Sequence, residues 1–143
     1  MPSAELDRLV VAGTLESEAP IREEFDGLLR EATLTVNDAK VEQLSLESRF
    51  RLAYAAAHSL ALAALRWHGY RPRNRQIVFQ ALAHTLGTPT PIWKMLSQAH
   101  ARRNRIDYEG TSEIDTRLVE DVIEATEQLL IAVKGLPPMK ESS

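Results

Sequence analysis

From Phe50 onward, apolar and small side chains recur at steps of three and four: Phe50, Tyr54, His58, Ala61 and Leu65. That spacing predicts one long helix, capped by Ser45 with Glu47 near its positive end, and stopped by Gly69 and Pro72. Its density of alanine implies close helix–helix approach. The same period runs through Ile21, Phe25, Leu28, Leu29 and Ala32, so 20–34 reads as a helix with Pro20 in its first turn. Asn37-Asp38 suggests a break or cap after it. Leu6, Leu9, Val10 and Leu15 form an earlier apolar patch interrupted by Gly13.

The second half repeats the pattern. Asn74 is placed to cap a helix through Ile77, Val78, Ala81, Leu82 and Leu86, with Gly87 just past its end. Thr90-Pro91 opens the next, with Ile92, Met95, Leu96 and Ala99 inward and Gly110 as its end. Asp115 or Thr116 starts the last, carrying Ile114, Leu118, Val122, Leu129, Leu130 and Val133 inward, and Gly135 and Pro137-Pro138 close it. No run alternates with period two for long enough to propose a sheet. The expected fold is all-α, an up-and-down bundle of about five helices in one domain over 1–143, with a frayed tail at 137–143.

Composition narrows the chemistry. A chain of 143 residues fits one core, and the absence of cysteine excludes a disulfide scaffold, a zinc ribbon and a thiol nucleophile. The longest apolar-rich run, Leu52 to Leu65, has 14 residues and contains His58 and Ser59, too short to span a bilayer. No signal peptide pattern opens the chain, so the expectation is a cytoplasmic protein without a membrane role. The four histidines show no ligand spacing with carboxylates, so neither a metal nor a cofactor is expected.

The net charge of -3 conceals an uneven layout. Residues 1–65 carry 6 basic and 11 acidic side chains, and residues 106–143 carry 3 basic and 9 acidic. Between them, residues 66–105 carry 8 basic side chains and no acidic one: Arg66, Arg71, Arg73, Arg75, Lys94, Arg102, Arg103 and Arg105. Such a window suggests an electropositive face that attracts anions, and the excess of Arg over Lys suits phosphate. The alternative is that these arginines pair with carboxylates of the flanking blocks after folding.

One segment adds a resemblance. Arg103-Asn104 followed by Asp107-Tyr108 resembles the Arg-Asn signature near a helix end in the HEPN superfamily of small helical domains. Leu9-Val10-Val11-Ala12-Gly13-Thr14-Leu15, the helix from Arg49 to Ala57, and Gly69-Tyr70-Arg71-Pro72 match further segments of a bacterial branch, in order, over most of residues 6–135. The resemblance implies a homodimer with a composite cleft across its two-fold axis. It also implies RNA or nucleotide phosphate as ligand, and a ribonuclease-like toxin role without a metal. A nucleotidyltransferase or antitoxin partner would be a separate chain. Carried over, Arg103 stabilises phosphate charge and Asn104 orients the site, while Tyr108 stands where the family has His. A phenol titrates near 10 and donates a hydrogen bond at neutral pH, whereas His titrates near 6.5 and moves protons. His100, one helical turn before Arg103 and Asn104, is a candidate substitute. Arg102, Arg105, Arg71 and Arg73 are candidate phosphate ligands.

Each residue also has a plainer reading. Arg103 and Asp107 suit an ordinary i,i+4 salt bridge. Tyr108 suits packing at a helix end, and His58 a core position. His68 and His84 stand alone. Trp67 and Tyr70 either stack bases or anchor a helix end. Gly87-Thr88-Pro89-Thr90-Pro91 is a stiff connection, because its prolines lack the N–H groups of a phosphate loop. Three functions survive: a ribonuclease-like enzyme, a non-catalytic nucleotide- or partner-binding module, and a structural protein whose dimer surface is its role.

Overall fold

The computed structural model describes residues 4–109 and 114–139. Helix α1 (Ala4–Val11) turns through Gly13 into a short strand β1 (Leu15–Ser17). Helices α2 (Arg22–Ala39) and α3 (Leu46–His68) follow, then strand β2 (Tyr70–Pro72). Short helices α4 (Gln76–Gln80) and α5 (Leu82–Thr85) lead into α6 (Thr90–Glu109) and α7 (Thr116–Lys134). The fold is an all-α bundle with one small two-stranded antiparallel sheet.

Helix α3 sits at the centre and packs most extensively on α2 and α7. Its alanines make that possible: Ala53, Ala56, Ala57, Ala61, Ala63 and Ala64 are fully buried, so neighbouring backbones come close. Thr126 on α7 donates its hydroxyl to the Val122 carbonyl at 2.7 Å and reaches the Ala53 carbonyl of α3 at 3.3 Å. The Ser45 hydroxyl accepts the Ser48 N–H at the start of α3, as its spacing predicts. At the other end Gly69 adopts φ +89, a left-handed conformation that any Cβ would strain. Asn74 accepts the Ile77 N–H, and Asp115 caps α7 through the Leu118 N–H.

Four sequence expectations change. Helix α2 runs through Asn37-Asp38 to Ala39, because Ala32, Val36 and Ala39 continue its buried stripe and outweigh the local cap preference. The 74–86 segment is two short helices on either side of Ala81. With α1, this raises the count above the expected five. A sheet exists, with Leu15 opposite Pro72 and Ser17 opposite Tyr70. Its three-residue strands are too short to show alternation in sequence. The segment expected to fray from residue 137 is tied down as far as Met139. The Met139 side chain is buried, Arg22 donates to its carbonyl at 3.2 Å, and the Trp67 indole donates to the Pro137 carbonyl at 3.0 Å. Among the described residues no helix is long and apolar enough to cross a membrane.

The sheet covers a satellite core of Leu6, Leu15, Leu65, Tyr70, Ile77 and Ala81. Helix α4 leaves this core and packs against both α3 and α6. The arginine-bearing part of α6 is thereby brought to the same side of the molecule as α4.

Candidate functional site

The basic window divides into two sets with different surroundings. In the first, Arg66 is completely buried at the end of α3. Its guanidinium donates to the Glu18 carbonyl at 3.0 Å, the Ala19 carbonyl at 2.7 Å, the Tyr70 carbonyl at 3.2 Å and the Glu24 carboxylate. Arg71 bridges the same acids, donating to Glu18 at 2.7 Å and to Glu24 at 2.8 Å. Arg73 forms an ion pair with Glu16 at 3.4 Å across the sheet. Arg66, Arg71 and Arg73 therefore follow the pairing alternative, with partners from the N-terminal block.

The charges respond accordingly. The Glu18 carboxyl lies below its ordinary range, chiefly through the hydrogen bond from Arg71. Burial pushes the Glu24 carboxyl up, yet hydrogen bonds from Arg71 and Arg66 outweigh this and hold it below its ordinary range. The same bonds raise Arg71 further. This cluster joins the sheet, α2 and α3. Trp67 and Tyr70 belong to the same scaffold, since the buried Tyr70 hydroxyl donates to Asp7 and Trp67 to Pro137.

The second set gathers around Tyr54, whose side chain is only 2% exposed. Its ring meets Phe79 of α4 edge-on at 5.7 Å. One turn along α3, the His58 ring lies 6.0 Å from Phe79 and 6.3 Å from Tyr54. The Arg103 guanidinium, reaching from α6, stands 5.6 Å from the Tyr54 ring centre. Arg75, at the start of α4, is close enough for its positive charge to act on the same phenol. Burial raises the Tyr54 hydroxyl above its ordinary range, and the positive charges of Arg103 and Arg75 work against that rise. Two guanidinium groups from two helices thus converge on one tyrosine.

A cavity of about 240 Å³ adjoins this cluster between α4 and α6. Arg75, Gln76, Phe79, Gln80, Trp93, Ser97 and Ala101 line it, with no acidic side chain among them. The Trp93 indole N–H is buried with no hydrogen-bond acceptor among the described residues. A buried donor left in that state costs about 1–3 kcal/mol. By contrast, a groove of about 480 Å³ lies between α7 and the α2–α3 connection, where Glu42, Glu120, Glu124 and Glu127 outnumber Lys40 and Arg49 and disfavour an anion.

The residues singled out by pattern and resemblance fall into different places. Arg103 belongs to the Tyr54 cluster, and Arg102 and Asn104 are half-buried beside it on α6, with Arg105 exposed. Arg71 and Arg73 belong to the carboxylate cluster instead. The side chains of His100 and Tyr108 lie outside the described residues. His58 is in the aromatic cluster, and His68 bonds the Thr85 carbonyl at 3.0 Å. Burial lowers the His68 pKa, against the raising effect of that bond. Sequence reasoning missed Tyr54 and Phe79 as members of the arginine site. Both sit at helical spacing in apolar stripes, which reads as core. Among the described residues no three His, Asp or Glu side chains cluster as metal ligands. No family model matches the chain, and no curated protein matches it.

Proposed function

We propose that this chain is a HEPN-like domain that binds the phosphate of RNA or a nucleotide on its α3–α4–α6 face. The convergence of Arg75 and Arg103 on Tyr54 carries this reading. Guanidinium forks match phosphate oxygens bidentately, and the aromatic cluster beneath fixes where Arg103 points. Arg102, Asn104 and Arg105 extend the donor set along α6. In this reading two copies pair so that their α6 helices share one cleft, and a separate nucleotidyltransferase or antitoxin chain is the partner.

Tyr108 at the family's His position favours the binding module over the ribonuclease, because a neutral phenol donates but does not take a proton at pH 7. If cleavage occurs, Arg103 and Asn104 steady the phosphate while His100 supplies the titrating group.

The test is binding of a fluorescent single-stranded RNA to wild type, Arg103→Ala and the surface control Lys134→Ala. A charged hydrogen bond contributes about 1.5–3 kcal/mol, so Arg103→Ala should weaken binding about tenfold or more while the bundle stays folded. Lys134→Ala should bind as wild type does. Wild type that binds neither RNA nor nucleotides overturns the proposal. Cleavage is followed in the same reactions with Tyr108→His, which restores a group titrating near pH 7 and should raise any cutting.

A further inference from the structure

The α4–α6 cavity has a chemistry that phosphate alone does not use. Phosphate needs donors; Arg75 supplies them at the rim, and Arg103 stands beyond it at the Tyr54 ring. Inside are Phe79 and Trp93, two aromatic side chains from facing helices. Gln76 and Gln80 stand one turn apart on α4, both exposed, and each amide offers donors and an acceptor. Ser97 adds a hydroxyl from α6. An aromatic wall, and amide edges that give and take hydrogen bonds, suit a flat heteroaromatic ring with polar edges.

We infer that this cavity takes one nucleobase of the bound ligand, with Gln76 and Gln80 reading its edge and Arg75 linking it to the phosphate. The inference rests on the phosphate reading above. Size agrees: about 240 Å³ is below the roughly 300–1,000 Å³ that encloses a drug-sized ligand. One base fits inside, and its ribose and phosphate stay at the mouth. Arg75 is shared between the cavity lining and the Tyr54 cluster, so base and phosphate sites are contiguous.

The experiment uses full-length Trp67→Phe, which leaves Trp93 as the sole tryptophan of the two in the chain. The probes are AMP, GMP, CMP, UMP, ribose 5-phosphate, and short single-stranded RNAs of one base each. Base-bearing probes should change Trp93 emission and bind about tenfold tighter than ribose 5-phosphate, the scale of one base–aromatic stack. Gln80→Ala, at an exposed position, should alter the ranking of the four bases and leave ribose 5-phosphate affinity as it was. Ser97→Leu, which narrows the cavity without adding a tryptophan, should remove the preference for base-bearing probes. Tighter binding of RNA than of its mononucleotide identifies a strand as the ligand, and equal binding identifies a free nucleotide. Either supports the base site. Ribose 5-phosphate binding as tightly as all four nucleotides, with Arg103→Ala weakening every probe, overturns the base site and leaves the phosphate reading intact. No binding by any probe overturns both.

Discussion

Arg66 and Arg103 show how residues of one type take opposite roles through their surroundings. Arg66 has no solvent exposure, and its guanidinium donors meet a carboxylate and three carbonyls. Removing it strands Glu24 and those carbonyls, so Arg66→Ala should cost about 3–5 kcal/mol in urea unfolding. Arg66→Lys should recover little, because an ammonium lacks the fork that spans these acceptors. Arg71→Ala, at a position 32% exposed, should cost no more than about 1 kcal/mol. The pH dependence follows from the acids. Glu18 and Glu24 have folded-state pKa values lowered from 4.5, so they stabilise the fold above that pH. That contribution is lost as pH falls through their folded values. The melting temperature should therefore drop below about pH 4.5, and Glu24→Gln should be less stable at neutral pH with a shallower acid limb. The sequence left this pairing as one of two alternatives and did not identify the partners. Arg71 and Glu24 stand 47 residues apart, and a run of arginines reads identically whether its partners are phosphates or distant carboxylates.

Helix ends were the most readable elements, because their chemistry is local. Ser45, Asn74 and Asp115 cap within three residues of themselves, and Gly69 needs only its own backbone conformation. Gly69→Ala should cost about 1 kcal/mol or more, since φ +89 penalises any Cβ. Asp115→Ala should cost about 1 kcal/mol through the lost bond to the Leu118 N–H. Thermal melts of both variants check these values. Local reading failed where tertiary burial competed with it. Asn37 and Asp38 favour a cap, but Val36 and Ala39 are buried on either side of them and keep α2 helical. Tyr54 failed in the other direction: its stripe spacing does predict burial, and it is buried, as is Phe79, which lies among the apolar residues of the 74–86 segment. What spacing cannot show is that two cations come to rest at the same buried ring.

At the scale of the molecule, a net charge of -3 coexists with Arg75 and Arg103 at one buried tyrosine, and with Arg102 and Arg105 on the same helix as Arg103. Four glutamates outnumber two cations in the groove between α7 and the α2–α3 connection, so a polyanion is steered toward α6 and away from that groove. This division makes the salt dependence of RNA binding a measure of assembly. Each phosphate neutralised on a single strand contributes about -0.7 to the slope of log affinity against log salt. If one copy engages RNA through Arg75, Arg103 and Arg105, the slope should be about -2. A two-fold cleft shared by two copies doubles the arginines within reach, and the slope should approach about -4. Light scattering on the same samples should then give twice the 16.0 kDa chain mass. Arg103→Ala removes one contact from each copy, so the slope of the dimer should fall by two contacts rather than one. A monomer by light scattering, with a slope that Arg103→Ala lowers by a single contact, would place the whole site on one chain and rule out the shared cleft.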